Sequence, residues 1–375
     1  MPKRMMVVIG TRPECIKLAP VIKALRDRPT DFVTILCSSG QHHEMLEQTL
    51  DGFGLIADEQ LAVMRPNQTL PELTASLLGA LSQAVVRAKP DWIIVQGDTT
   101  TAFVAGLCAY YERVRVAHVE AGLRSFDPFN PFPEEINRRL LGAIADLHFA
   151  PTQRACEALR GEGVPANRIH LSGNTIVDAL QVLRKELETP GGLARVSPEI
   201  RGLAAGSERI VLVTCHRRES FGEDLAAICR AVRRVAEEHR DCRVVYPVHL
   251  NPEVRAQTSR FLAATSNIQL TDPLPYHDLL HLLQHATLVM TDSGGIQEEA
   301  PSFGVPVLVL RRKTERPEGV EAGFAELVGT DEERIVARAT AWLALPSREA
   351  LRTRPNPYGD GRAADRIADI LAATP

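Results

Sequence analysis

The feature that most restricts the fold is an alternation. Short, continuously apolar, β-branched runs are separated by longer helical stretches. Met5–Ile9, Phe32–Cys37, Trp92–Gln96 and Val114–Val119 form a first set, with helical segments such as Leu70–Ala88 and Thr100–Tyr111 among them. A strand that is apolar along its whole length is buried on both faces. That is the signature of a parallel sheet with helices on each side. The rhythm restarts with Arg209–Thr214, Arg243–Pro247, Thr287–Thr291 and Val305–Leu310. Between the sets lies Thr189–Ser207, loosely patterned and carrying Pro190, Gly191, Gly192 and Pro198, so the domain change falls between Gly173 and Ser207. Asp360–Ala373 reads as a final helix, and no short-period repeat is present. Two doubly wound α/β domains are the simplest architecture.

Composition narrows the function. With 45% hydrophobic and 24% charged residues in 375, the chain has apolar content for two cores. A net charge of −4 lacks the basic surplus of a nucleic-acid binder. No run approaches the ~18 apolar residues of a membrane span. The N-terminal apolar run is too short for a signal peptide and is interrupted by Arg12 and Glu14. Seven scattered cysteines without a CxxC pair suit a reducing compartment. The expectation is a cytoplasmic protein.

In open parallel sheets, ligands bind beyond the carboxyl ends of the strands, so the residues after each strand carry the argument. Gly10-Thr11-Arg12-Pro13-Glu14 and Lys17 follow the first strand. They read either as an anion site at a helix start or as an ordinary turn with solvated charges. The pattern is not GxGxxG, so no dinucleotide fingerprint is present. Asp98 follows Trp92–Gln96, where it is either a helix cap or an acid. Glu120 follows the next strand, and two carboxylates at neighbouring strand ends point to acid/base chemistry. Three prolines, Pro128, Pro131 and Pro133, stiffen the loop before Glu134 and Glu135. These two glutamates also read as a solvated helix start paired to Arg138 and Arg139. In the second half, Asp292-Ser293-Gly294-Gly295 opens a helix that carries Glu299. Its backbone N–H groups suit a diphosphate, and Glu299 suits a ribose. His277, His281 and His285 share a helical spacing that invites a zinc reading, but nothing nearby completes a site. Cys215 and His216 are neighbours on a strand and point to opposite faces, against a thiol-nucleophile pair.

Taken in order, the motifs closely resemble the non-hydrolysing UDP-N-acetylglucosamine 2-epimerase family. They are GTRPE (Gly10–Glu14), GQH (Gly40–His42), QGDT (Gln96–Thr99), HVEAGLR (His118–Arg124), PEE (Pro133–Glu135), HRRE (His216–Glu219), TDSGGIQEEAP (Thr291–Pro301), TERPE (Thr314–Glu318) and NPYGDG (Asn356–Gly361). The resemblance implies two Rossmann-like domains with a central cleft, a GT-B-like architecture. The first is 1–172, rejoined by a C-terminal helix at about 362–375, and the second is 173–361. It implies interconversion of UDP-GlcNAc and UDP-ManNAc without cofactor or metal, by anti elimination of UDP to 2-acetamidoglucal and re-addition. Asp98, Glu120, Glu134 and His216 match the catalytic set. Arg12, Lys17, Arg138, Ser293, Gly294, Gly295, Glu299 and Arg316 match nucleotide-holding positions. Gln41, Glu44, Arg65, Glu135, Arg218 and His249 match the site of a second UDP-GlcNAc that acts as activator. Family members are commonly homodimers. The chain departs from the family pattern at Cys215, where glycine is usual, at His43-Glu44, and at Arg312-Lys313-Thr314, where Asp-Thr-Thr is usual. A hydrolysing epimerase, a UDP-sugar glycosyltransferase and a non-catalytic UDP-sugar sensor are the competing readings.

Overall fold

The computed structural model describes residues 1–40, 43–65, 68–215, 222–345 and 348–375, without the side chains of His43, Glu44, Met45 and Gln48. The chain divides into two compact units, Met1–Gln181 with Tyr358–Pro375, and Val182–Pro357.

The first unit holds seven strands: β1 (Lys3–Ile9), β2 (Phe32–Ser38), β3 (Glu59–Gln60), β4 (Trp92–Gln96), β5 (Arg115–Val119), β6 (Leu147–Ala150) and β7 (Ile169–Leu171). All pairings are parallel and the order is β3-β2-β1-β4-β5-β6-β7. The period of two along β1 divides its side chains between two cores. Met5, Val7 and Ile9 pack with the helices Arg12–Arg26 and Ala363–Ala373, while Met6 and Val8 pack with Leu70–Ala88 and Thr100–Tyr111. The last helix of the chain is thus part of the first unit's core through Ala364, Ile367, Ala368 and Leu371. Polar contacts hold both of its ends. Asp178 Oδ1 accepts the Ala364 N–H at 2.8 Å, and Lys3 Nζ donates to the carbonyls of Leu371 and Ala372 at 2.8 Å each, and to that of Thr374.

The second unit holds six strands: β8 (Arg209–Thr214), β9 (Cys242–Pro247), β10 (Ile268–Thr271), β11 (Ala286–Thr291), β12 (Val307–Val309) and β13 (Ala325–Leu327). They are parallel in the order β10-β9-β8-β11-β12-β13. Each sheet therefore reverses its strand order once, between β1 and β4 in one unit and between β8 and β11 in the other. Those are the switch points where α/β sheets bind ligands. The fold class is α/β with two Rossmann-like sheets, as expected.

The stretch Thr189–Ser207 is more ordered than its pattern suggests. It contains the helices Pro190–Ala194 and Pro198–Ala205, with Thr189 Oγ1 accepting the Gly192 N–H at 3.1 Å and Ser197 Oγ accepting the Ile200 N–H at 3.4 Å. A hydroxyl cap followed by proline starts a helix even where the apolar period is weak.

Candidate active site

At the first unit's switch point the turn after β1 leads into the helix Arg12–Arg26 through a capping box. Glu14 is fully buried. Its Oε2 accepts the N–H groups of Gly10 (3.0 Å) and Thr11 (2.7 Å) and the Thr11 hydroxyl (2.8 Å), and its Oε1 accepts the Thr99 hydroxyl (2.6 Å). Burial pushes the Glu14 carboxyl up, against the hydrogen bonds that favour the anion. The anion site read from this turn is therefore filled from within, by the protein's own carboxylate. Arg12 is half-buried and has no ion-pair partner among the described residues.

The turn after β4 corrects the reading of Asp98 as a helix cap. Thr99 caps the helix Thr100–Tyr111, its hydroxyl accepting the Ala102 N–H at 3.0 Å. The Asp98 carboxylate instead receives Arg138, with Nη2 at 2.5 Å and Nε at 3.1 Å from Oδ2. The Asp98 carbonyl accepts Asn137 Nδ2 at 3.0 Å. Gly97 is tied to β5 on both sides. Its N–H donates to Val119 O at 3.0 Å, and its carbonyl lies 2.7 Å from His118 Nε2. Burial, and then His148, push the His118 imidazole down to about 3, so it is neutral and donates.

Glu120 follows β5 with a φ of 62°, a left-handed conformation that costs free energy for a residue with a Cβ and is enriched at functional sites. Its carboxylate pairs with Lys17, both side chains being almost fully buried. A Cβ built on Gly97 would stand 4.0 Å from Glu120 Oε1, so the acids of β4 and β5 share one place. Glu134 is half-buried and opens the helix Glu134–Ile144. Glu135 is not on a solvated helix start: it is 0% exposed. It accepts the N–H groups of Ser125 (3.0 Å) and Phe126 (3.2 Å) and pairs with Arg138 (3.2 Å) and Arg139 (3.3 Å). The carboxylate holds its own preceding loop. Arg124, with a side chain 1% exposed, is likewise internal and makes a bidentate pair with Glu162 at 2.7 Å for each bond.

At the second unit's switch point Asp292 follows β11 and accepts the Cys215 thiol at 3.2 Å. The helix Gly294–Glu299 follows. Ser293 stands at its N-cap position without a side-chain cap bond. A Cβ on Gly295 would lie 3.9 Å from Ser293 Oγ and 4.0 Å from Glu299 Oε1, which gathers the three residues. Tyr276 OH donates to Glu299 Oε1 at 3.0 Å. Arg316 lies flat against Gly294, where a Cβ would meet its Nη1 at 2.6 Å and Cζ at 2.7 Å. The guanidinium is held there by Glu298 (2.7 Å) and Glu315 (3.5 Å), and Glu315 in turn pairs with Arg311 (2.7 Å).

Of the activator positions, Arg65 and His249 are exposed, and Gln41, Arg218 and the Glu44 side chain lie outside the described residues, as does His216. The rings of His281 and His285 lie 4.5 Å apart and tilted by 51°, with His285 Nδ1 bonded to the His281 carbonyl at 2.8 Å. Among the described residues no group of His, Cys, Asp or Glu is arranged to hold a metal ion, and no helix is long and apolar enough to cross a membrane. The strand-end pattern assigns no role to Glu14, His118, Asn137 or Tyr276. Thr11-x-x-Glu14 is a capping-box signature that marks Glu14 locally. The other three meet their partners only through long-range contacts.

Comparison with known proteins gives these turns a context. The family model described as UDP-N-acetylglucosamine 2-epimerase matches residues 23–372. A protein of Ralstonia solanacearum named probable UDP-N-acetylglucosamine 2-epimerase is 47% identical over 372 residues, 99% of each chain. The crystal structure of the UDP-GlcNAc 2-epimerase from Neisseria meningitidis bound to UDP-GlcNAc superposes with a TM-score of 0.91 at 38% identity, covering 99% of this chain and 100% of that one. A glycosyltransferase of kitacinnamycin shares the fold alone, with a TM-score of 0.64 at 14% identity over 99% of this chain and 100% of its own. With a match that spans nearly its whole length, the chain belongs to the UDP-N-acetylglucosamine 2-epimerase family.

Proposed function

We propose that the chain interconverts UDP-GlcNAc and UDP-ManNAc by anti elimination of UDP to 2-acetamidoglucal and re-addition, without releasing free sugar. The observation that carries the reading is the pair of carboxylates at neighbouring strand ends, Asp98 bound to Arg138 and Glu120 bound to Lys17. The sugar's C2–H is not acidified by a carbonyl, so a positioned base must take the proton while the leaving group departs. In the first step a carboxylate accepts the C2 proton, that bond's electrons form C1=C2, and the C1–O bond to UDP breaks. In the second step a phosphate oxygen of UDP attacks C1, and a proton is delivered to the opposite face of C2. Two faces require acids on different elements, and Asp98, Glu120 and Glu134 come from different ones. His216 completes the assigned set.

The departing UDP gains negative charge, which Arg316 and the turn Ser293–Gly295 suit by charge and by backbone N–H groups. Glu299, oriented by Tyr276, suits the ribose. Arg12, Lys17 and Arg138 join the nucleotide-binding set in this reading. A second UDP-GlcNAc acts as activator through Gln41, Glu44, Arg65, Glu135, Arg218 and His249. The enzyme works as a cytoplasmic homodimer and needs no cofactor or metal.

Incubating the protein with UDP-GlcNAc in deuterated water and following it by proton NMR tests the proposal. The expected outcome is exchange at C2 with formation of UDP-ManNAc. Free ManNAc would identify a hydrolysing enzyme, and an unchanged spectrum would defeat the catalytic reading.

A further inference from the structure

Glu14 is a buried carboxylate at the switch point that the proposed chemistry does not use. It lies beneath the turn that carries Arg12 and reaches across to the turn that carries Asp98. We infer that Glu14 is a positioning residue that sets Asp98 through Thr99, and that by filling the β1 turn it closes that turn to phosphate. The inference rests on the proposed epimerase reaction only where it speaks of turnover.

The hydrogen-bond inventory supports it. The Thr99 hydroxyl donates to Glu14 Oε1 and accepts from Ala102 N, so its single proton is committed to Glu14. The opposite oxygen of Glu14 takes three donors from Gly10 and Thr11. Only an acceptor at both oxygens satisfies this set without reversing a hydroxyl. The Asp98 turn is then fixed from three directions: His118 on the Gly97 carbonyl, Asn137 on the Asp98 carbonyl and Glu14 on the Thr99 hydroxyl. Among the three, Glu14 alone is ionisable with no exposed surface, and it joins this turn to the one bearing Arg12. A carboxylate that must sit over a substrate carbon needs its own backbone held within a fraction of an ångström, which is the role of such supporting bonds.

The test separates the link to Glu14 from the helix cap, since Thr99 serves both. Thr99→Ser keeps both, while Thr99→Asp keeps an N-cap acceptor but sets one carboxylate against another. Glu14→Gln keeps the acceptor for Gly10 and Thr11 and turns an amide toward Thr99. Steady-state kinetics on UDP-GlcNAc are expected to give a kcat reduced roughly 10- to 100-fold in Glu14→Gln and in Thr99→Asp. KM should stay within about threefold, and Thr99→Ser should restore near wild-type kcat. The double variant Glu14→Gln/Thr99→Ala should be no slower than the slower single one, because coupled residues are non-additive. A wild-type kcat in folded Glu14→Gln overturns the inference, and so do losses that multiply in the double variant. If Glu14→Gln does not fold, the Thr99→Asp and Thr99→Ser pair still decides: equal kcat values refute the link. Wild-type protein inactive on UDP-GlcNAc would instead refute the proposed reaction. The same cycle read in urea unfolding then tests the coupling, which independent effects on stability would refute. For the phosphate claim, inorganic phosphate should raise the melting temperature of Glu14→Ala more than that of wild type. An equal rise in both rejects it.

Discussion

Lys17 and Glu120 replace water with one another, since their side chains are only 8% and 6% exposed. Removing one partner takes a buried counter-charge from the other. Lys17→Met is therefore expected to destabilise the first unit by about 3–5 kcal/mol, and Lys17→Met/Glu120→Gln to recover much of that loss. Urea unfolding of the wild type, Lys17→Met, Glu120→Gln and the double variant is the measurement, and a double variant as unstable as Lys17→Met would show that the charge is not the cause. Asp98→Asn and Glu120→Gln keep shape and remove the two carboxylates that the proposed reaction uses for acid/base chemistry. Each is expected to fold and to lose roughly 10²–10⁴ in kcat. Near wild-type turnover in both would remove these residues from the chemistry.

At the scale of elements, helix ends and turns are set by single contacts. Gly294 has no room for a side chain, because a Cβ would lie 2.6 Å from Arg316 Nη1. Gly294→Ala should push Arg316 off the turn and weaken UDP binding by roughly 10- to 100-fold, the equivalent of one charge-assisted contact. Titration calorimetry reads this, and unchanged affinity would place the diphosphate elsewhere. The N-terminus of the helix Ala363–Ala373 is bound by Asp178, whose carboxyl burial pushes up to about 6. Its unfolded value is about 3.9. The folded state thus holds the proton more tightly, so protonation favours folding. This contribution is full below about pH 4 and is lost as the pH rises through about 6, up to about 3 kcal/mol in all. The stability of the wild type relative to Asp178→Asn should therefore fall between pH 4 and 7. A difference that is flat with pH would show that the carboxyl titrates normally.

For the whole molecule, the chain's last segment determines which unit is complete. Ile367 and Leu371 have no exposed surface and lie in the core of the first unit, far along the chain from β1. Burying each contributes about 1.5–3 kcal/mol, before the polar contacts of Lys3 and Asp178 are added. Deleting residues 358–375 should therefore unfold Met1–Gln181 or leave it molten, while the sheet β8–β13 keeps its core. Hydrogen exchange by mass spectrometry would show this as lost protection in β1–β7 alone. Full protection in β1 of the truncated chain would contradict it.

The strands buried on both faces are legible in the continuous apolar runs of the sequence. Trp92–Gln96 and Arg209–Thr214 coincide with β4 and β8, and Leu70–Ala88 and Thr100–Tyr111 with their helices. Long apolar runs and capped helices carry their signal locally. Short edge strands such as β3, with two residues, carry too few side chains to register. Val305–Leu310 shrinks to Val307–Val309 because pairing, not hydropathy, ends a strand. The strand ends located the acids, because a parallel sheet must place its loops there. The partner of each acid was not legible. Asp98 needs Arg138, 40 residues away, and Glu120 needs Lys17, 103 residues away. A helix cap and a strand-end acid look alike in sequence at Asp98, and only the packed position of Thr99 separates them. A single sequence specifies which groups are charged and where the backbone turns. Which charges face each other out of water follows from the order of strands in the sheet, a long-range arrangement that no local window contains.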